Sequence, residues 1–206
     1  MPYLGSKPAD GSVSSTILKD ADNNTKIQVE ESSDENIIRF DTAGTEVVKI
    51  DAAGIMTKPL QPCFHAYVGT TQNNIATGSD LTINYDEEVW DLNADFDTSN
   101  KTFTAPVTGK YMFNCQYRVE SLDNGANYYN LKLITSNCTY RALNDIKSWG
   151  INDPDFFVFN MDVIVDMDAS DTAVLKFLQS AGTAQVDGGA NDRTNQDGWF
   201  CAYLLA

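Results

Sequence analysis

Apolar and polar residues alternate along much of the chain with the period of two that is typical of half-buried β-strands. In residues 111–119, apolar or aromatic side chains alternate with Asn114, Gln116 and Arg118. Residues 159–165 repeat this alternation. Two apolar faces of this kind, packed opposite each other about 10 Å apart, would form the core of a β-sandwich.

Eight strand-like segments follow Pro62, and residues rich in Asn, Asp, Gly and Ser connect them. Helical periodicity over eleven or more residues is absent from the sequence. The pattern therefore predicts an all-β fold, either a sandwich or a jelly roll. The predicted strands are residues 64–68, 81–84, 103–105, 111–120, 128–135, 157–166, 173–179 and 199–205.

A short repeat precedes these strands. Residues 37–44 (IIRFDTAG) align without a gap on residues 47–54 (VVKIDAAG), and an earlier strand-like segment lies at residues 27–30. Each repeat ends in a turn whose Gly tolerates positive φ. Three or four such strands have too little apolar surface to fold alone. We therefore predict a β-repeat stalk in which three chains stack, and the alternative is a meander packed on the main domain.

Two prolines, Pro59 and Pro62, mark the end of this repeat, because proline interrupts strand pairing. The sequence thus predicts three parts. They are an N-terminal peptide (residues 1–20), a repeat segment (residues 21–60) and a C-terminal domain (residues 61–206).

The charge of the chain and its hydropathy pattern each argue against one class of partner. Its 14 Lys and Arg residues are outnumbered by 29 Asp and Glu residues, which gives a formal net charge of -15. Binding to nucleic acid requires clustered basic residues, so we predict none. No run approaches the ~20 apolar residues of a membrane span, so we also predict no membrane insertion.

The cysteines at positions 63, 115, 138 and 201 form no CxxC pair and have no His at zinc-ligand spacing. The first residues lack the basic and apolar regions of a secretory signal. We therefore expect a soluble protein made in a reducing cytosol, with four unpaired thiols. Disulfides are the alternative.

A longer pattern spans residues 85–115. Its members are Asp91, Phe96, Phe103, Gly109, Tyr111 and Phe113. Their spacing resembles the signature of the complement C1q and tumour necrosis factor (TNF) jelly roll. Two positions depart from that signature, since Tyr85 stands in place of Phe and Cys115 in place of an aromatic residue. We expect Cys115 to be a packing residue beside a space that a neighbour such as a Met fills.

Both ends of the C-terminal domain fit the same resemblance. Residues 64–67 (FHAY) are similar to the opening strand of the complement-type head, and residues 200–205 (FCAYLL) to its closing strand. The family implies a homotrimer built around aromatic residues of one sheet. Trp199, Phe200 and Tyr203 are the candidates for that interface. Phe200 is equally a candidate for the core, because adjacent strand residues face opposite ways.

Animal members of that family carry a collagen stalk, but this chain has no Gly-x-y tract, and the β-repeat occupies that place. Together with the N-terminal peptide 2–9 (PYLGSKPA), this arrangement resembles small fibre and appendage proteins of marine tailed bacteriophages. That resemblance implies a virion protein whose N-terminal segment docks on other virion proteins and whose head binds a host glycan or protein. The alternatives are a capsid decoration or cement protein and a secreted C1q-like lectin or signalling ligand.

Catalytic chemistry has little support in the sequence. His65 is the only histidine, and Cys63 lies two residues before it on the same strand face, but no orienting carboxylate or oxyanion loop is discernible nearby. We therefore predict no enzymatic activity and no cofactor.

Calcium is the one metal that the acidic composition brings into consideration. Residues 20–31 fail as an EF-hand loop because Thr25 stands where Gly is needed. Residues 166–171 are more typical of a solvated turn. Some complement-type heads bind calcium at the trimer apex, but this chain has no motif that carries over those ligands.

Surface recognition remains as the mechanism. Residues 121–127 and 185–199 form polar loops, with Tyr128, Tyr129 and Trp199 at their margins. Aromatic rings beside amides and carboxylates suit saccharides, and they equally suit ordinary solvated loops.

Overall fold

The computed structural model describes residues 17–150 and 152–206. The chain divides into two compact units, one that ends at Leu60 and one that begins at Gln61. We call residues 17–60 the repeat unit and residues 61–206 the head domain.

The repeat unit is an antiparallel meander in which each strand pairs with the next. Ala43 and Gly44 form the tight turn between the third and fourth strands, with φ of 50° and 81°. Positive φ at both central residues matches the twist of a two-residue hairpin. The strands are β1 (Ile17–Lys19), β2 (Lys26–Gln28), β3 (Ile38–Thr42), β4 (Thr45–Ile50) and β5 (Met56–Thr57).

The first of these strands corrects a predicted boundary. Residues 17–19 were assigned to the N-terminal peptide, but they pair with β2 and belong to the sheet. Residues 1–16 of the predicted peptide lie outside the described residues.

The head domain consists of two six-stranded antiparallel sheets. The first has the order β14-β11-β17-β6-β8, with β16 beside β11, and the second has the order β13-β12-β15-β10-β9, with β7 beside β15. The strands are β6 (Cys63–Tyr67), β7 (Leu81–Thr82), β8 (Glu87–Asp91), β9 (Phe96–Asp97), β10 (Thr102–Thr104), β11 (Gly109–Glu120), β12 (Tyr128–Thr135), β13 (Thr139–Asn144), β14 (Phe156–Met167), β15 (Thr172–Ser180), β16 (Asp187–Gly188) and β17 (Trp199–Leu204).

The all-β prediction is confirmed, because within the described residues the only helical segment is a short 3-10 helix, Ile146–Trp149. All eight predicted segments contain strands, and within the head domain the sequence pattern did not predict β8, β9, β13 and β16. The two amphipathic strands β11 and β14 are neighbours in the first sheet, paired from Gly109 opposite Met167 to Glu120 opposite Phe156. Their apolar faces therefore lie side by side, which corrects the expectation that they face each other.

Aromatic side chains fill the space between the two sheets. The Phe64 ring stacks on Phe96 and Phe103 with centroids 4.6 Å and 5.2 Å away, and Phe200 meets its edge at 5.1 Å. Phe103 also contacts the ring of Phe113. Rings with this many partners are fully desolvated and account for much of the favourable burial in the domain.

Three further signature residues make specific polar or steric contacts. The Asp91 carboxylate accepts a hydrogen bond of 2.8 Å from the backbone N–H of Phe96. The Tyr111 hydroxyl donates to the Val107 carbonyl at 2.8 Å. At Gly109 a Cβ would lie 2.6 Å from the carbonyl oxygen of Ala206, so only glycine permits this approach of the C-terminus.

The two departures from the signature also have physical explanations. The buried hydroxyl of Tyr85 donates to the Gln116 carbonyl at 2.8 Å, so the extra oxygen relative to Phe is satisfied. Cys115 is buried, and burial raises the pKa of its thiol well above the ordinary value. Met161 lies directly opposite Cys115 and packs against the core, as expected of a residue that fills the space left by the smaller side chain.

Candidate interaction surfaces

One face of the repeat unit is apolar and exposed. Directly paired residues of antiparallel strands share a face. Pairs of this kind connect apolar side chains on one face from β1 to β5. The pairs are Leu18 with Ile27, Ile27 with Phe40, Phe40 with Val48, Ile38 with Ile50 and Ile50 with Met56. Leu18 is 71% exposed, Met56 58% and Ile27 39%.

The opposite face of the same sheet carries charges. Arg39 forms ion pairs with Glu35 at 2.7 Å and Glu46 at 3.0 Å, and Lys26 pairs with Asp41 at 3.2 Å. Hydrogen bonds from the Ser32 hydroxyl, a backbone N–H and Arg39 lower the pKa of Glu35 to about 2. This face is suited to water.

Within the described residues of the repeat unit, all strands belong to this one sheet. Stable domains bury the apolar face of a sheet against another sheet or helix. We call this exposed apolar face of the repeat unit the stalk face.

The outer face of the first head sheet contains two of the three predicted interface residues. Tyr203 is 47% exposed and lies beside Met112, which in turn lies opposite Ile164. Trp199 is partly buried on the same face. Phe200, between them in the chain, points the other way and is fully buried. The prediction of an interface position is therefore wrong for Phe200, since alternate residues of β17 face the core.

Polar contacts fix the orientation of Trp199. Its indole N–H donates to the side-chain oxygen of Asn114, and the Asn114 amide donates to Asp162 on the next strand. These three side chains form a chain of hydrogen bonds across β17, β11 and β14. An indole held in this way presents a rigid surface, which lowers the entropic cost of binding.

His65 and Cys63 lie on this outer face as well. The His65 Nε2 atom is 2.7 Å from the side-chain oxygen of Gln196, and the Trp90 ring meets the imidazole edge-on at 5.9 Å. Partial burial lowers the pKa of His65 despite that hydrogen bond. Burial, with the charges of Asp91 and Asp95, raises the pKa of the Cys63 thiol. Both shifts favour the neutral forms, which are the unreactive ones for a thiolate–imidazolium pair.

The two head sheets differ in the apolar side chains that they expose. Among the described residues, five large exposed apolar or aromatic side chains lie on strands of the first sheet and one, Leu143, on the second. Those on the first sheet are Trp90, Phe156, Val158, Ile164 and Tyr203. Aromatic and aliphatic residues grouped on one face are typical of association surfaces. We call this the first-sheet face.

Buried Asp123 joins two polar loops of the head. Its carboxylate accepts hydrogen bonds from the backbone N–H groups of Gly125, Thr183 and Ala184. Burial alone would raise the pKa of Asp123, but these hydrogen bonds outweigh it and hold the pKa below its ordinary value. Residues 121–127 and 181–184 therefore form one ordered assembly.

The aromatic residues beside these loops separate into two kinds. Tyr129 is fully buried, and its hydroxyl exchanges hydrogen bonds with the backbone of Asp123. Tyr128 lies partly exposed on the outer face of the second sheet. Of these two tyrosines, only Tyr128 can contact a ligand.

Within the described residues, no group of three or more His, Cys, Asp or Glu side chains is placed to hold a metal ion. In the acidic turn after β14, the Asp171 carboxylate already accepts hydrogen bonds from Asn137 and from the backbone of Asp168.

All four cysteines are free thiols. The described part of the chain also contains no helix with the length and apolar character that a membrane span requires.

No protein-family model matches the chain, and no curated protein matches it. Among solved structures, it is similar to the crystal structure of murine APRIL at pH 8.5, with a TM-score of 0.50 and 7% identity over 70% of this chain and 99% of that one. It is also similar to the globular domain of zebrafish complement 1qA, with a TM-score of 0.48 and 17% identity over 71% of this chain and 98% of that one. At 7% identity the similarity to APRIL shows the fold alone, which is an all-β jelly roll.

Proposed function

We propose, from a C1q/TNF-like jelly roll preceded by a sheet with one exposed apolar face, that this chain is a homotrimeric structural protein of a tailed-phage virion. The N-terminal segment that precedes β1 docks on other virion proteins. The repeat unit forms a short β-stalk, and the head domain binds the host surface.

The stalk face is the observation that carries the trimer. Its apolar side chains need a second layer, and further copies of the same sheet supply one of matching size and shape. A charged partner would not match this apolar surface. Three copies of the stalk face, packed around one axis, bury the apolar residues and leave the ion pairs of Arg39 and Lys26 in water.

The first-sheet face supports the same assembly in the head. It carries five exposed apolar or aromatic side chains, among them Tyr203 of the predicted interface, and the partly buried Trp199 lies on the same face. Association through this face leaves the second sheet exposed to solvent. Three identical heads then contact a host surface together, so weak single contacts add up to useful avidity.

The assignment to a virion comes from the sequence arrangement, in which a short peptide and a β-repeat precede a complement-type head. No catalytic step is included, because the pKa shifts of Cys63 and His65 favour the unreactive neutral forms and the described hydrogen-bond partner of His65 is the Gln196 amide. The protein acts by binding, and its location is the phage particle.

Electron microscopy of particles with and without this protein tests the proposal. We expect an appendage with three-fold symmetry that is lost when the protein is absent. Purified protein in excess should also block adsorption of phage to the host. Intact adsorption together with a weakened capsid would instead identify a decoration protein, and particles that never contain the protein would contradict the proposal.

A further inference from the structure

A row of three basic side chains crosses the outer face of the second head sheet. Lys132 on β12 lies directly opposite Arg141 on β13 and directly opposite Lys176 on β15. Neighbouring strands are about 4.8 Å apart, so the three side chains stand side by side within about 10 Å. Like charges directly opposite each other in a sheet are unfavourable for folding.

The row has one acidic partner among the described residues. The Lys132 ammonium pairs with Asp80, and this lysine is only 9% exposed. No ion pair within 4.0 Å joins Lys176 or Arg141 to an acidic side chain in the described part of the chain. Two of the three positive charges therefore lack a local counterion, in a chain whose net charge is -15.

Polar and aromatic groups flank the row on the same face. Asn130 lies two residues before Lys132, and in the amide orientation that satisfies both its atoms its oxygen accepts from the Arg141 guanidinium at 3.2 Å. That contact holds Arg141 in place. Tyr128 lies two residues before Asn130 on the same face of β12 and is partly exposed. A ligand can therefore reach the exposed Arg141 and the partly exposed Tyr128 and Lys176, while the buried Asn130 and the nearly buried Lys132 support them from below.

We propose that the strip formed by these five residues, which we call the basic strip, binds the sulfate or carboxylate groups of an anionic surface polysaccharide. Arg141 and Lys176 supply the positive charge that such groups need. Tyr128 supplies a ring for a sugar face, and Asn130 keeps the guanidinium oriented. The inference rests on the proposed binding role of the head and names the class of its ligand.

A polysaccharide fits this strip better than nucleic acid does. The rest of the chain is strongly acidic, so a long phosphate backbone would meet repulsion beyond three cations. A saccharide with widely spaced anionic groups needs positive charge only where one of those groups contacts the strip. At physiological ionic strength the Debye length is about 8 Å, so the remote carboxylates are largely screened.

The test compares dextran sulfate with neutral dextran of equal length by calorimetry on the whole chain. Alginate adds an arm in which carboxylates replace sulfates. We expect binding of at least one anionic polymer, weakening with salt, and no binding of neutral dextran. The double variant Arg141→Gln/Lys176→Gln should weaken binding at least tenfold. The control Lys19→Gln/Lys58→Gln removes two exposed charges from the repeat unit and should leave binding unchanged.

Three results would overturn the basic strip: no binding of either anionic polymer, equal binding by the double variant, or equal competition by single-stranded DNA of the same charge. The mass of each sample is measured in parallel. A trimeric sample that binds neither anionic polymer would contradict the basic strip and leave the proposed assembly unaffected. A monomeric sample would contradict the proposed assembly, whether or not it binds a polymer.

Discussion

A carboxylate placed in the centre of the stalk face should dissociate the repeat unit from its neighbours. Ile27 lies between Leu18 and Phe40 on this face and is 39% exposed in the single chain. The larger part of this side chain is buried within the single chain, so Ile27→Asp also lowers the stability of the isolated repeat unit, and the mass of the variant in solution separates that effect from a loss of association. In the proposed trimer the new carboxylate would be buried without a partner on an apolar face.

The magnitude follows from the exposed fraction. Full burial of an isoleucine contributes about 1.5–3 kcal/mol, so the exposed 39% contributes about 0.6–1.2 kcal/mol per chain. Burial of an unpaired charge costs several kcal/mol more. With a lower bound of about 3 kcal/mol per chain, three chains lose at least about 9 kcal/mol, which weakens the association constant by at least about a millionfold.

The loss of association can be measured by hydrogen exchange of the backbone amides along the chain. The amides of β1 to β4 should be protected in the wild-type trimer and should exchange much faster in Ile27→Asp. Thr57→Asp is the matched control, because it places the same group on the charged face beside Lys49. If the two variants keep equal protection in the repeat unit, the stalk face is not an interface and the reasoning fails.

Three further changes test the head domain. Tyr203→Glu on the first-sheet face should weaken association of the chain at least tenfold in sedimentation experiments, whereas Leu143→Glu on the second sheet should leave it unchanged. Asp123→Asn should lower the free energy of unfolding by about 1.5–3 kcal/mol in urea titrations, because a buried charged acceptor of three N–H groups is lost; an unchanged midpoint would contradict this role. Since the pKa of His65 is lowered from 6.5 in the fold, the unfolded chain binds the proton more readily. Stability should therefore fall as the pH drops below 6.5, and His65→Gln should remove this step; an identical slope in the variant would assign it to other groups.

Local patterns predicted much of the fold. The alternation in β11 and β14 and the spacing of residues 85–115 indicated an all-β jelly roll, because both reflect which side chains must face a core. β13 was missed because its sequence, TYRALN, includes Arg141 and only weak apolar alternation. Its strand character comes from pairing with β12.

The surfaces were less predictable than the core, since they depend on strand order and register. Trp199 and Tyr203 could be proposed from composition, but the direction of Phe200 required knowledge of which face of β17 meets the second sheet. The basic strip joins residues 132, 141 and 176, and only the pairing of three strands brings them together. No short motif in the sequence carries that information.

The mass of the whole chain in solution is the most direct test of the central claim, which is assembly as a homotrimer. Sedimentation equilibrium at several concentrations gives this mass without reference to shape. The account predicts three times the chain mass of 22.7 kDa. A single-chain mass across the concentration range would contradict it.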